Sequence, residues 1–269
     1  MFDRLTTIIF QGVLLSIATI ASAAPLPSID DLKSQIGSDP IVIRVFEPHL
    51  SAGENHIEVE YIGYPAESVL SLVLGQDWRA QGDAIEFRAL DGYVSRIETA
   101  KFEHGNAFVV FSREDRTNFI VDNIAQNQEN VPLGPYYLVW DNVSNPDLLA
   151  EGAGNWPYQV SNVLPSTVSD DALLPEGLEA RYRRGAALAK VHCLNCHRIN
   201  GIGGDKFDGD LAAITKSLAR AYFVGWILDP SSIRSSTTVP ALPAQMGEAE
   251  GVQTATALYD YLLHLPAPQ

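Results

Sequence analysis

Apolar and polar residues alternate along much of the first half of the chain. IVIRVF (residues 41–46), HIEVEYI (56–62) and AIEFRAL (84–90) repeat with a period of two and are rich in β-branched and aromatic residues, a pattern that predicts half-buried strands. AFVVFS (107–112) and YYLVW (136–140) add two more strands, and the loop over residues 127–135 is set by asparagine, proline and glycine. AESVLSLVLG (66–75) switches to helical spacing and stops on glycine. This segment reads as α+β.

A second pattern begins beyond LPSTVSDDALLP (164–175), a short polar stretch bounded by prolines that reads as a linker. LEARYRRGAALAKVHCLNCH (178–197), ARAYFVGWIL (219–228) and GVQTATALYDYLLHL (251–265) carry apolar residues at helical intervals. The expected architecture is multidomain: an α+β domain over residues 24–165, a linker over 166–176 and an all-α domain over 177–269. No internal repeat or low-complexity tract is present.

At the N-terminus, Arg4 precedes an apolar run of roughly a dozen residues that closes on Ala21, Ser22 and Ala23, the layout of a secretory signal peptide. Cleavage after Ala23 is expected, with a retained anchor as the alternative. The run is shorter than the roughly 20 residues that span a bilayer, so no integral span is expected after cleavage. Acidic residues outnumber basic ones, 33 to 18, for a formal charge of −15. Such a surface repels nucleic acid and suits a basic partner or simple solubility.

The chain holds two cysteines, both in the pentapeptide Cys193-Leu194-Asn195-Cys196-His197. This spacing lets two thiols add to the vinyl groups of one haem while the adjacent imidazole reaches the iron. A disulfide is open to two close cysteines in an oxidising compartment. A zinc site needs a second ligand pair, and His49, His56, His104, His192 and His264 supply none at ligand spacing. A thioredoxin-like motif follows a strand, whereas a helical pattern leads into this one.

Around the motif, Gly185, CLNCH, INGIGG (199–204), Leu211, WILDP (226–230), VPALP (239–243), Tyr259 and Tyr261 together resemble a class I c-type cytochrome over about residues 177–266. The resemblance implies one covalent haem c on Cys193 and Cys196, His197 as the proximal iron ligand, and Leu211, Trp226, Ile227 and Leu242 as an apolar wall. It also implies a close helix approach at Gly185. Val239 stands where the family usually has its distal methionine, which leaves Met246 as the candidate distal ligand. Without Met246 the iron is five-coordinate or held by a histidine such as His264. The family's Gly-Pro-Asp-Leu is Asp208-Gly209-Asp210-Leu211 here, and the Gly209 carbonyl replaces that of proline as the expected acceptor for the His197 ring.

EYIGYPAESVLSLVLG (60–75), IEFRALDGYVSRI (85–97), FVVFSRED (108–115) and LGPYYLVWDN (133–142) are similar in order to the molybdopterin-binding domain of the sulfite oxidase group. That group holds molybdenum through a cysteine thiolate, and this segment has no cysteine, so the resemblance implies the fold without the metal. Asp91-Gly92-Tyr93, its most recognisable element, reads first as a tight turn. His49, His56 and His104 read as surface histidines, with a copper or second-haem site as the alternative. Trp140, Trp156 and Tyr158 read as core, with a binding surface as the alternative.

The combined expectation is an exported, periplasmic mono-haem c-type cytochrome that carries single electrons between a redox protein, a dehydrogenase or another cytochrome, and the respiratory chain. The first domain serves as its docking module. Whether the chain is also an enzyme stays open. The alternatives are a haem-based or first-domain oxidoreductase acting on a small molecule, and a haem sensor of redox state or ligand.

Overall fold

A computed structural model describes residues 23–51, 55–104, 106–167, 173–243 and 246–266. The expected export signal, Ala23 apart, and residues 168–172 of the expected linker lie outside the described residues.

The first part of the chain forms β1 (Ala24–Pro25), α1 (Ile29–Ile36), β2 (Ile41–Phe46), β3 (Glu58–Pro65), α2 (Ala66–Leu74), β4 (Ala84–Ala89) and β5 (Val94–Glu98). It continues with β6 (Ala107–Arg113), β7 (Ile120–Asn123), β8 (Gln128–Pro132), β9 (Tyr137–Trp140) and β10 (Val160–Ser166). Two four-stranded antiparallel sheets, in the orders β1-β10-β4-β5 and β2-β3-β6-β9, carry the core, and β7 pairs with β8. Period two places Ile43 and Val45 inward and Val42 outward in β2, while Ile41, in phase with the inward pair but first on an edge strand, stays exposed. Local signals set both helices. Ser28 caps α1 by accepting from the Asp31 amide at 3.2 Å, Gly37 ends it in the left-handed region, and α2 runs from Pro65 to its stop at Gly75.

The later chain adds α3 (Arg183–His192), β11 (Arg198–Ile199), β12 (Ile202–Gly203), α4 (Leu211–Lys216), α5 (Arg220–Leu228), α6 (Pro230–Ile233) and α7 (Glu248–His264). Its buried residues form a second cluster, separate from the core of the sheets, around Ala189, Leu194, Leu258, Tyr261 and Leu262. Helix α3 approaches α7 at Gly185, where a Cβ would lie 2.3 Å from that of Tyr261. Among the described residues no helix is long and apolar enough to cross a membrane.

This architecture overturns the expected fold class and both resemblances. The chain is a β-rich α+β fold dominated by antiparallel sheets, and an all-α class I cytochrome half paired with a sulfite oxidase-type domain is not evident. Residues 178–197, which carry helical spacing, give a helix over Arg183–His192 that leads into the motif. Beyond the motif the chain forms an antiparallel hairpin, with Arg198 opposite Gly203 and Ile199 opposite Ile202, and a parallel bridge from Arg198 to Asp210. The helices here are mostly short, of 10, 6, 9 and 4 residues before the 17 of α7. The physical reason lies in Asn200-Gly201, both at positive φ (50° and 79°), the dipeptide that favours a two-residue hairpin turn.

Candidate functional site

The end of α3 runs directly into the cysteine pair. The amide of Cys193 donates to Ala189 O at 2.9 Å, and the amides of Cys196 and His197 both donate to Cys193 O, at 3.2 and 2.9 Å. The motif is therefore a hydrogen-bonded turn that follows the end of α3, closed by the His197 amide on Cys193 O. The thiols are unbridged, Cys193 buried and Cys196 half-buried. Burial pushes Cys193 up to about 12 and, against the pull of Lys206, pushes Cys196 up to about 11. The raised values keep both as neutral S–H groups at pH 7. Among the described residues no group of three or more His, Cys, Asp or Glu is placed to hold a metal ion.

The His197 ring stacks on Phe207, with centroids 5.0 Å apart and planes at 24°. Burial lowers its pKa and keeps the imidazole neutral, the form that ligates metals. Its Nδ1 is buried without a hydrogen-bond partner, so the Gly209 carbonyl does not accept from it as expected. Met246 is half-buried and its amide donates to Pro243 O at 2.9 Å. His264 instead stacks on Tyr182 at 4.7 Å, with Nδ1 2.7 Å from Asp260 O. Leu211, Trp226, Ile227, Val239, Leu242 and Met246 are all only half-buried, an apolar set that the second core leaves incompletely covered.

The motif is clasped by the first part of the chain. Asp91-Gly92-Tyr93 forms the turn between β4 and β5, closed by Asp91 Oδ1 accepting from the Tyr93 amide at 3.0 Å. The Val94 amide donates to Asn195 O at 2.9 Å, Asn195 Nδ2 donates to the Tyr93 hydroxyl at 2.8 Å, and the Asp205 amide donates to Gly92 O at 2.7 Å. Lys206 Nζ lies 2.8 Å from Asp91 Oδ2, with the two side chains 12% and 26% exposed. Burial alone would lower the Lys206 pKa, but the Asp91 hydrogen bond and charge outweigh it and raise it. Each neutral hydrogen bond contributes about 1 kcal/mol. The half-buried ion pair adds a similar amount, present below the free lysine value and lost as pH rises through the raised one. Tyr93 therefore holds Asn195, one of the two residues between the cysteines, a role absent from the turn reading of this triplet.

The contact admits no side chain at Gly92. This residue has φ +86°, and a Cβ there would lie 2.6 Å from the backbone carbon and oxygen of Asp205. Gly37 has φ +72° and open space around it. Gly37→Ala is expected to cost about 1 kcal/mol of left-handed strain, and Gly92→Ala a further 1–3 kcal/mol or so for the clash. Urea unfolding of the two variants measures the difference. Equal losses would mean that the motif loop does not seat on this turn.

The remaining sequence candidates separate. His49 is not a surface residue: it is 6% exposed, with Nδ1 2.7 Å from Glu47 Oε1. His56 is exposed beside Phe46, and His104 is exposed at the end of a short 3-10 turn, so no three-histidine site forms. Trp140 and Trp156 are core. Tyr158 is buried but also lines a cavity against Lys206 and Phe207.

Sequence reasoning missed Glu47, which is fully buried. Its carboxylate accepts from Tyr61 at 2.7 Å and Tyr137 at 2.9 Å as well as from His49. Burial drives its pKa up, but the hydrogen bond and charge of His49 and the Tyr61 hydroxyl outweigh burial and hold it below the usual carboxylate range. Glu47-Pro48-His49 follows a strand with no motif to mark it.

No protein-family model matches the chain, and no curated protein matches it. Neither resemblance read from the sequence gains a family from these comparisons.

Proposed function

We propose that this chain is an exported, periplasmic electron carrier with one haem c joined through Cys193 and Cys196 and ligated by His197. The observation that carries the reading is the single hydrogen-bonded turn after α3 that holds two neutral, unbridged thiols and an imidazole at i, i+3 and i+4. In the attachment step each S–H adds across a vinyl group, sulfur bonding to one carbon and hydrogen to the other, so no external oxidant is consumed. The half-covered wall of Leu211, Trp226, Ile227 and Leu242 fits a large apolar group that completes this core. Bound there, the iron supplies a one-electron Fe(III)/Fe(II) couple.

The protein's own residues do the rest. Phe207 fixes the plane of the His197 ring, and Tyr93 and Asp91, through Asn195 and Lys206, hold the loop that carries both thiols. Met246 is the candidate second axial ligand. Residues 24–165 form the docking module for a redox protein such as a dehydrogenase or another cytochrome, and the acidic chain favours a partner with a basic face.

Absorption spectra of the purified exported protein test the reading. The alkaline pyridine spectrum of the reduced protein is expected to be that of haem c. The ferric protein is expected to show the weak long-wavelength band of sulfur ligation, lost in Met246→Ala. A high-spin spectrum with ready carbon monoxide binding would overturn the carrier assignment.

A further inference from the structure

The Glu47 carboxylate is 0% exposed and takes no part in the chemistry proposed for the motif. It accepts from the Tyr61 hydroxyl at 2.7 Å, from the Tyr137 hydroxyl at 2.9 and 3.1 Å through its two oxygens, and from His49 Nδ1 at 2.7 Å. Burial opposes its charge, yet the hydrogen bond and charge of His49 keep it ionised. A buried ion is costly, and apolar residues of similar volume commonly hold a core at least as well. The cluster points to a role beyond packing.

Two geometric facts define that role. A phenol gives up an electron far more readily when a base takes its proton in the same step, because the oxidised phenol is a strong acid. The base must lie within hydrogen-bond reach of that proton, about 2.6–3.2 Å, and Glu47 meets this for both Tyr61 and Tyr137. Tyr158 differs, since its hydroxyl faces Asn123 Nδ2 at 3.2 Å, a donor and not a base. The rings are also in near contact. Centroids lie 5.6 Å apart for Tyr61 and Tyr137 and 6.4 Å apart for Tyr137 and Tyr158, the spacing of packed aromatic pairs. Tyr158 is 8% exposed and lines the cavity beside Lys206 and Phe207. An electron can thus leave ring by ring through Tyr158 while the proton stays inside on Glu47.

We infer that Tyr137 and Glu47 form a proton-coupled one-electron oxidation site, reached through Tyr158, that quenches oxidants of the peroxyl radical class at the cavity. The peroxyl radical takes an electron from Tyr158 and a proton from water, leaving hydroperoxide and hydroxide. An electron from Tyr137 refills Tyr158, and the Tyr137 hydroxyl proton passes to Glu47. The products inside are a neutral tyrosyl radical at Tyr137 and a neutral Glu47 carboxyl, which donates back to the phenoxyl oxygen. Tyr61 lies one ring farther from the cavity and keeps its proton. The site is built from protein groups alone and does not rest on the haem reading.

Flash photolysis of the full-length oxidised protein with tris(bipyridine)ruthenium and a cobalt(III) electron acceptor tests the assignment. Electron paramagnetic resonance of samples frozen after the flash is expected to show a tyrosyl radical, identified by its narrowing in protein carrying ring-deuterated tyrosine. The signal is expected to be lost in Tyr137→Phe and kept in Tyr61→Phe, each of which leaves Glu47 with His49 and the other tyrosine as donors. Glu47→Gln is expected to lower the radical yield about a hundredfold, the smaller end of what a positioned base contributes. The infrared difference spectrum of the wild type is expected to gain a carboxylic acid band that shifts with carbon-13 glutamate, which reports the proton whatever the variants do to folding. Peroxyl radicals from a water-soluble azo compound are expected to give the same tyrosyl signal, and its absence there would overturn the oxidant class. No tyrosyl signal after the flash, a signal that survives Tyr137→Phe, or one lost equally in Tyr61→Phe would overturn the site. A radical formed without the carboxylic acid band would remove Glu47 as the proton acceptor.

Discussion

The double variant Cys193→Ser, Cys196→Ser will reach its compartment as bare polypeptide. Haem occupancy is expected to fall from near one per chain to near zero, because an oxygen nucleophile does not replace the thioether and His197 alone holds haem only reversibly. Peroxidase staining after denaturing electrophoresis reads the loss directly, and intact mass distinguishes the haem adduct from the bare chain. The single variants are expected to retain a fraction of the haem through one thioether. His197→Ala is expected to keep haem mass where it matures and to lose the low-spin spectrum. A wild-type chain that carries no haem mass when produced alongside a cytochrome c maturation apparatus would end the haem reading. The structure adds a second expectation: Cys193 is buried and Cys196 half-buried once the motif loop is seated, so attachment precedes the seating of Asn195 on Tyr93.

Glu47→Ala will cost about 4 kcal/mol, the largest loss expected from one side chain in the first part of the chain. The carboxylate is the shared acceptor for two tyrosine hydroxyls and for His49, none of which has water to turn to. Each buried donor left without its acceptor costs about 1–3 kcal/mol, and three such donors together take a large share of the 5–15 kcal/mol or so that holds a typical domain. Glu47→Gln keeps the shape and one acceptor, so its loss is expected to be smaller. The pH dependence has a definite sign. The folded pKa lies below the reference value of 4.5, so this stabilisation is fully present above about that pH and is lost as pH falls through the folded value. Urea unfolding at neutral pH and near pH 4 is expected to show the loss in the wild type and a weaker pH dependence in Glu47→Gln. Identical unfolding curves for Glu47→Ala and wild type would show that the cluster contributes nothing.

The strands were legible where one face of a sheet is buried. IVIRVF coincides with β2, and the patterns at residues 84–90, 107–112 and 136–140 fall on β4, β6 and β9, because burial on one side imposes period two whatever the neighbouring strand is. Helix α2 was legible for a similar reason, with Pro65 before it and Gly75 after it. Helical spacing over residues 178–197 overstated the helix content, since the same apolar positions also serve a loop packed on a small core. Asn200-Gly201 marked a turn that the periodicity on either side obscured.

By itself the sequence determined what depends on near neighbours: the strands of the sheets, helix α2 with its glycine stop, and the placing of Cys193, Cys196 and His197 on one turn, since residues so close in the chain meet through local hydrogen bonds. Only the tertiary structure decided that His49 is buried on Glu47, that Tyr93 grips Asn195 from 102 residues away, and that Tyr158 and Phe207 line one cavity. Those contacts join segments whose local patterns carry no record of each other. They exist because two hydrophobic cores close against one seam, and where that seam falls is settled by packing over the whole chain.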